Sequence, residues 1–137
     1  MIFGASLQND RNSQRVVMKV GQKEQSISMP SKPGGGSGVS GGELLMLALA
    51  TCYCNDIYRE AAKRNIRVDK IEVEVEGDFG AEGEPARSFA YHAKVTAHAS
   101  EVEIGDLIQY TDRVAEIQNT LRVSVPVSLG RVEVIQS

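Results

Sequence analysis

The stretch SGGELLMLALATCYCND, residues 40–56, decides how this chain is organised. Ser40 and Glu43 have the spacing of a capping box, in which each side chain binds a backbone N–H of the other residue. This pattern predicts a helix over residues 42–64. The first half of the helix is apolar all round, so we expect it to be buried on every side. A chain of 137 residues has few other helices with which to surround it. The sequence therefore predicts a homodimer that shares its central helices.

Both cysteines of the chain lie in this stretch. On a helix, Cys52 and Cys54 point to different sides, and a disulfide between them would distort the backbone. Cys52 lies on the inward face, with Asp56 one turn and Arg59 two turns further on. Cys54 lies toward the side of Tyr58. An unpaired cysteine is often a small buried apolar residue, so a reactive thiol and a packing role both remain open for Cys52.

The segments around the central helix predict an α+β fold with a mostly antiparallel sheet, in a single domain over 1–137. Apolar and polar residues alternate in 70–79 and again in 88–99, which is typical of a hairpin with one buried face. The glycines of the loop 31–42 predict backbone with positive φ or close approach. The predicted elements are N-terminal strands within 1–30, the hairpin over 70–99, a second helix over 101–121 and a C-terminal strand over 123–136.

Composition and motifs exclude several classes of function. A net charge of −3 and the lack of a basic stripe argue against a nucleic-acid partner. The longest apolar run, 44–50, is too short to span a membrane, and the N-terminal residues do not resemble a secretory signal. We therefore expect a cytoplasmic protein, in which thiols stay reduced.

Neither a metal nor a cofactor is expected from the motifs. The chain has only two cysteines and two histidines, and their spacing matches no common zinc motif. His92 and His98 fall on the solvent face of the predicted hairpin. The glycine loop ends in Gly-Gly-Glu rather than the Gly-Lys-Ser/Thr of a P-loop, so a nucleotide is not expected either.

The order of these elements resembles the OsmC/Ohr family of thiol-dependent hydroperoxide reductases. The motifs that carry the resemblance are the loop GGGSGVSGG, the run ELLMLALATC that ends in Cys52, the strand NIRVDKIEVEVEGDF and the segment NTLR at 119–122. The resemblance extends over nearly the whole chain. It implies an intertwined homodimer, in which a mostly antiparallel sheet wraps around a long central helix.

The resemblance also implies a site. Cys52 matches the thiol that attacks the peroxide bond, and a guanidinium held by a carboxylate would lower the pKa of such a thiol. Glu43 matches the acidic position of some branches, although in the reductase branch that position falls on Gly42. Arg11 or Arg15 would supply the guanidinium, and Arg11 is preferred because it lies in a loop. An organic hydroperoxide or another small apolar ligand would be the partner, with an external thiol as reductant.

One departure limits what the resemblance implies. The reductases carry a resolving cysteine that would fall near Ala115, but this chain has no cysteine after Cys54. Cys52 could act as a one-cysteine peroxidase resolved by an external thiol, or Cys54 could resolve it if the helix unwinds. The alternative is a non-catalytic dimer that binds a small ligand and retains only the fold.

Overall fold

The structure is a computed structural model that describes residues 1–137. It confirms the predicted α+β class, with antiparallel strand pairs and helices that follow them. The chain divides into two compact units, Met1–Leu45 and Met46–Ser137. The single domain over 1–137 stays a prediction. None of the helices combines the length and the apolar content that a bilayer crossing requires.

The first unit contains a three-stranded antiparallel sheet. Its strands are β1 (Phe3–Asn9), β2 (Gln14–Val20) and β3 (Lys23–Ile27), in the order β1-β2-β3. Strand β1 lies within the range 1–30 for which N-terminal strands are predicted, and in it Phe3, Ala5 and Leu7 alternate with polar or small residues. Phe3 is 70% exposed and Leu7 is 54% exposed.

The glycine loop is held to the end of β1. Gly34, Gly35 and Gly36 have φ values of 86°, 118° and 99°, which is the left-handed region that favours glycine. The side chain of Asn9 binds both backbone groups of Gly36, at 2.9 Å to its N–H and 3.0 Å to its carbonyl. The predicted need for positive φ in this loop is confirmed.

Helix α1 (Gly41–Lys63) begins at the capping box that the sequence indicated. The Ser40 hydroxyl accepts the Glu43 N–H at 3.1 Å, and the Glu43 carboxylate accepts the Ser40 N–H at 3.1 Å. Within the single chain Leu47 is 60% exposed, so the expected burial of the apolar half on every side stays a prediction that depends on the shared-helix dimer. One chain does not supply enough packing surface to cover every face of this helix.

The second unit is built on a long hairpin, β4 (Arg67–Phe79) and β5 (Ala86–His98). Its residues alternate between half-buried and exposed, as the sequence pattern predicted. The half-buried face packs on a core formed by Tyr53, Ile57, Ala61, Ile66 and Leu107. On the solvent face, Glu72 lies opposite Lys94 with 3.9 Å between their charged atoms.

The predicted single helix over 101–121 is two helices, α2 (Glu101–Val114) and α3 (Glu116–Val123). They meet at Ala115, which is fully buried and has an extended ψ of 114°. The carbonyl of Arg113 loses its helical partner at the break and accepts the Asn119 side chain at 2.9 Å instead. Apolar residues keep helical spacing on both sides of Ala115, so the sequence pattern does not indicate the break.

The predicted C-terminal strand over 123–136 is not formed, and the residues after Val123 have no regular secondary structure. A strand requires another strand to satisfy its N–H and C=O groups. Here Pro126 lacks an N–H, and no neighbouring strand of the chain pairs with the segment. Its apolar side chains are consequently exposed, with Val127 at 97%.

Candidate functional site

Cys52 lies on α1 with its thiol half-buried among carboxylates. Its Sγ donates to Oδ2 of Asp56 at 3.5 Å and lies 4.0 Å from Oε2 of Glu116. Asp56 follows Cys52 by one helical turn, which places the two side chains on the same face of α1. Glu116 is the first residue of α3. The thiol therefore sits where α1 meets the start of α3.

Arg59 links the two carboxylates beside the thiol. Its Nη1 is 2.8 Å from Oε1 of Glu116 and 3.1 Å from Oδ1 of Asp56, and its Nε binds Glu60 at 2.7 Å. Asp56 is buried and Glu116 is exposed. The guanidinium thus holds in place both of the carboxylates that contact the thiol.

The electrostatics of this cluster favour a protonated thiol. Partial burial is the main cause that raises the pKa of Cys52, and the negative charges of Asp56 and Glu116 add to it. A backbone hydrogen bond at Ile117 opposes the rise without cancelling it. Since the thiolate is the nucleophilic form, Cys52 in this state reacts only if its proton is removed by a nearby base.

The two carboxylates differ in their affinity for a proton. Burial is the main cause that raises the pKa of Asp56, and the adjacent side chain of Glu116 raises the pKa further. The same side-chain pairing is the main cause that lowers the pKa of Glu116. Asp56 is therefore the better proton acceptor of the two, and it also makes the shorter contact with the thiol, at 3.5 Å against 4.0 Å for Glu116.

The same three residues are the candidate metal ligands of the second unit. One ligand atom each from Cys52, Asp56 and Glu116 lies within 4.8 Å of the others. A thiolate with two carboxylate oxygens could bind a divalent transition metal. However, Arg59 already pairs with both carboxylates, and a cation would have to compete with it.

The structure places the other two predicted site residues in the first unit. Arg11 lies in the turn between β1 and β2, where its side chain is exposed and its carbonyl accepts the N–H of Gly34 at 3.1 Å. Arg15 lies on β2 and is exposed as well. Glu43 closes the capping box with Ser40, and the hydrogen bonds from Ser40 lower its pKa. The catalytic roles of Arg11 and Glu43 stay predictions.

Both cysteines are free, as the helical geometry predicted. The position expected for a resolving cysteine, Ala115, directly precedes Glu116, which contacts the Cys52 thiol. The missing cysteine would therefore fall beside the thiol, in a place where this chain has alanine.

Glu116 is a site residue that the sequence pattern did not predict. Helical spacing placed Asp56 and Arg59 near Cys52, and their contacts confirm that placement. Glu116 is 64 residues from Cys52 in the chain, so no local pattern could connect the two. The one signal in the sequence was that Glu116 follows Ala115, the position at which the family resemblance places the resolving cysteine.

Comparison with known proteins identifies the family. Residues 34–130 match the family model described as OsmC-like protein. No curated protein sequence matches the chain.

Solved structures show the same fold at low identity. An OsmC-like protein from Mycoplasma pneumoniae has a TM-score of 0.62 and 18% identity, over 88% of this chain and 89% of that one. An organic hydroperoxide resistance protein OsmC from Legionella pneumophila, also described as a predicted redox protein, has a TM-score of 0.58 and 22% identity, over 89% and 90%. An OsmC-like protein of unknown function from Vibrio cholerae has a TM-score of 0.60 and 13% identity, over 88% and 93%. The family model covers more than half of the chain, and the chain therefore belongs to the OsmC/Ohr family of OsmC-like proteins.

Proposed function

We propose that this protein is a thiol-dependent peroxidase of the cytoplasm that reduces organic hydroperoxides with one reactive cysteine, Cys52. The observation that carries the proposal is the contact of the Cys52 thiol with a buried carboxylate, Asp56, at 3.5 Å. Support also comes from the similar fold of a protein described as an organic hydroperoxide resistance protein.

The chemistry begins with the removal of the thiol proton. Asp56 accepts the proton from Cys52, because its raised pKa lies closer to that of the thiol than the pKa of an ordinary aspartate does. The resulting thiolate attacks the terminal oxygen of the hydroperoxide, and the O–O bond breaks. The alkoxide that leaves takes the proton from Asp56 and departs as an alcohol, and the cysteine becomes a sulfenic acid.

An external thiol completes the cycle. It attacks the sulfenic acid of Cys52, which releases water and leaves a mixed disulfide. A second external thiol then attacks that disulfide, so that Cys52 returns to the thiol and the two reductant molecules leave as a disulfide. Cys54 takes no part, since its position two residues along the helix points it away from Cys52.

Glu43 and Arg11 have proposed roles that follow from the family resemblance. Arg11 would polarise the peroxide and stabilise the thiolate, and Glu43 would hold its guanidinium by a charge-assisted pair. Arg59 has a distinct role that its contacts support. It fixes Asp56 and Glu116 beside the thiol, so that a proton acceptor is already in place when the substrate arrives.

The proposed active form is a homodimer. The support is the apolar surface that the single chain leaves uncovered on α1, where Leu47 is 60% exposed and Tyr58 is 45% exposed. These residues are eleven apart, so they lie on one face of the helix. A second copy of the chain would cover this face.

Consumption of cumene hydroperoxide by the purified protein, with dithiothreitol as reductant, tests the function. We expect turnover in the wild type and in Cys54→Ser, and none in Cys52→Ser. Asp56→Asn should slow the reaction although the chain remains folded, because it removes the proton acceptor. A wild type without turnover, or a Cys52→Ser variant as active as the wild type, would refute the proposal.

The alternative is a non-catalytic dimer that binds a small ligand. The raised pKa of Cys52 and the absence of a cysteine after Cys54 favour it. In that case Cys52 has a packing role and resists alkylation in the folded protein. Iodoacetamide labelling at neutral pH, followed by mass spectrometry, separates the two functions, because the peroxidase requires an accessible Cys52.

A further inference from the structure

The contact between Glu116 and the Cys52 thiol depends on how the first turn of α3 is held against α1. The two residues are 64 positions apart in the chain, yet only 4.0 Å separates Oε2 of Glu116 from the sulfur. The helical conformation is interrupted directly before Glu116, at Ala115, and α3 begins there without a side-chain cap. A helix of 8 residues is too short to be stable by itself. Contacts with the rest of the second unit therefore decide where Glu116 lies.

Gln118 joins this turn of α3 to α1. The residue is 3% exposed, and its Nε2 donates to the backbone carbonyl of Leu49 at 3.0 Å. Gln118 lies in the same helical turn as Glu116, and Leu49 lies one turn before Cys52. The bond thus connects the part of α3 that carries Glu116 with the part of α1 that carries the thiol.

The other polar contacts of α3 constrain its first turn less. The ion pair of Glu116 with Arg59 lies in solvent, with 62% and 38% of the two side chains exposed, and exposed pairs contribute little to stability. Arg122 binds Asp112, so it ties α3 to α2 rather than to α1. Gln118 therefore makes the one side-chain hydrogen bond between α3 and α1 that is buried.

Stability alone does not explain the Gln118 bond. The carbonyl of Leu49 already accepts the Tyr53 N–H within α1, as regular helical bonding requires. Because a carbonyl can only accept, the amide of Gln118 turns its nitrogen toward Leu49, and its Oε1 is buried without a hydrogen bond. An unsatisfied buried acceptor destabilises the fold, and an apolar side chain of the same size would avoid that cost. The position that the bond gives to α3 explains it better.

We infer that Gln118 is a positioning residue for Cys52, whose amide holds the first turn of α3 against α1 so that the Glu116 carboxylate stays beside the thiol. This turn also carries Ile117. After burial, which is the main cause that raises the pKa of Cys52, the backbone hydrogen bond of Ile117 lowers it and the charge of Glu116 raises it. Gln118 thus acts on the thiol through these two residues. The inference deepens the proposed function and rests on it for the reactive role of Cys52.

A double-mutant cycle between Glu116 and Gln118 tests the inference. The pKa of Cys52 is read from the pH dependence of its Cβ signal in the carbon NMR spectrum of the intact protein, prepared with isotope-labelled cysteine. Glu116→Gln should lower this pKa in the wild-type background. In the Gln118→Met background the same substitution should lose its effect, because Glu116 no longer lies beside the thiol. Equal shifts in the two backgrounds, or no shift in either, would overturn the inference.

Gln118→Met retains the size of the side chain and removes the donor. We expect its thermal unfolding midpoint to equal or exceed that of the wild type, because the unsatisfied acceptor is removed together with the bond. A Gln118→Met variant that fails to fold would show that the bond is needed for stability, and would contradict the inference as well. Gln109→Met, on the exposed surface of α2, is the matched control and should leave the shift caused by Glu116→Gln at its wild-type size.

The NMR titration also keeps the role of Gln118 separate from the proposed function, because it requires neither substrate nor turnover. A wild type that does not reduce cumene hydroperoxide would refute the proposed function, whereas loss of the Glu116→Gln shift in Gln118→Met would still support the positioning role. Conversely, turnover by the wild type together with equal shifts in both backgrounds would support the proposed function and reject the role of Gln118.

Discussion

At the scale of single residues, the thiol of Cys52 is controlled by its carboxylate neighbours. Glu116 lies 4.0 Å from the sulfur, and its negative charge contributes to the raised pKa of Cys52. Arg59 binds that same carboxylate at 2.8 Å. The negative charge of Glu116 therefore opposes the thiolate form of Cys52, whereas the positive charge of Arg59 would stabilise it.

Glu116→Gln should lower the pKa of Cys52. The substitution removes the charge that opposes the thiolate and frees Arg59 to act on the sulfur, so the thiolate forms at lower pH. The rate of iodoacetamide alkylation, measured as a function of pH, reports this directly. Glu101→Gln, at the exposed start of α2, is the control and should leave the profile unchanged. A pKa that stays the same or rises in Glu116→Gln would contradict this account.

The sequence predicts part of this site. Helical spacing located Asp56 and Arg59 beside Cys52, because residues four and seven apart share a helix face. Glu116 could not be located in this way, since its contact depends on how α3 packs against α1. The resemblance to the family directed attention to Arg11 and Glu43, whereas the contacts of the thiol within the second unit involve Asp56 and Glu116.

At the scale of elements, the capping box at the start of α1 stabilises the helix, and Glu43 also has a proposed catalytic role. Variants of Ser40 and Glu43 separate these two roles. Ser40→Ala removes the N-cap and should lower the free energy of unfolding by about 1 kcal/mol. Glu43→Gln should retain most of the stability, since glutamine also serves in a capping box. Urea unfolding at a fixed protein concentration measures both effects.

The activity of Glu43→Gln then decides the role of Glu43. If Glu43 anchors Arg11 as proposed, the variant should lose peroxidase activity although it remains as stable as the wild type. Full activity in this variant would limit Glu43 to its capping role.

The break between α2 and α3 predicts where a second thiol would react. Ala115→Cys would place a thiol directly before Glu116, which contacts Cys52. One equivalent of cumene hydroperoxide should then convert the two thiols into a disulfide, with loss of two hydrogens in the intact mass. Ala62→Cys, at an exposed position of α1, should form no such bond. Absence of the disulfide in Ala115→Cys would show that the break does not face Cys52.

Elements with a clear local signal were the most predictable. The capping box fixed the start of α1, and strict alternation fixed the faces of β4 and β5. The break at Ala115 had no signal, because neither proline nor glycine marks it. The C-terminal strand was predicted from β-branched residues, but a strand depends on a pairing partner that composition cannot reveal.

At the scale of the whole molecule, uncovered apolar surface recurs in separate parts of the chain. Leu47 on α1, Phe3 on β1 and Val127 after α3 are all largely exposed. The apolar first half of α1 predicts a dimer that shares its central helices. The exposed Leu47 supports that proposal, since a second copy could cover it.

Leu47→Glu should convert the proposed dimer into a monomer, because a carboxylate on this face would be buried without a partner. Sedimentation velocity at micromolar concentration measures the mass in solution. Val102→Glu, a similar change at the exposed start of α2, should leave the dimer intact. A wild type that sediments as a monomer would contradict the dimer outright.

The most direct test of the account is the fate of the Cys52 sulfur after one turnover without reductant. The protein is treated with one equivalent of cumene hydroperoxide, trapped with dimedone and analysed by peptide mass spectrometry. The account predicts a dimedone adduct of the sulfenic acid on Cys52, none on Cys54, and one cumyl alcohol released per adduct. Stoichiometric hydroperoxide that remains unreduced, with an unmodified Cys52, would contradict it.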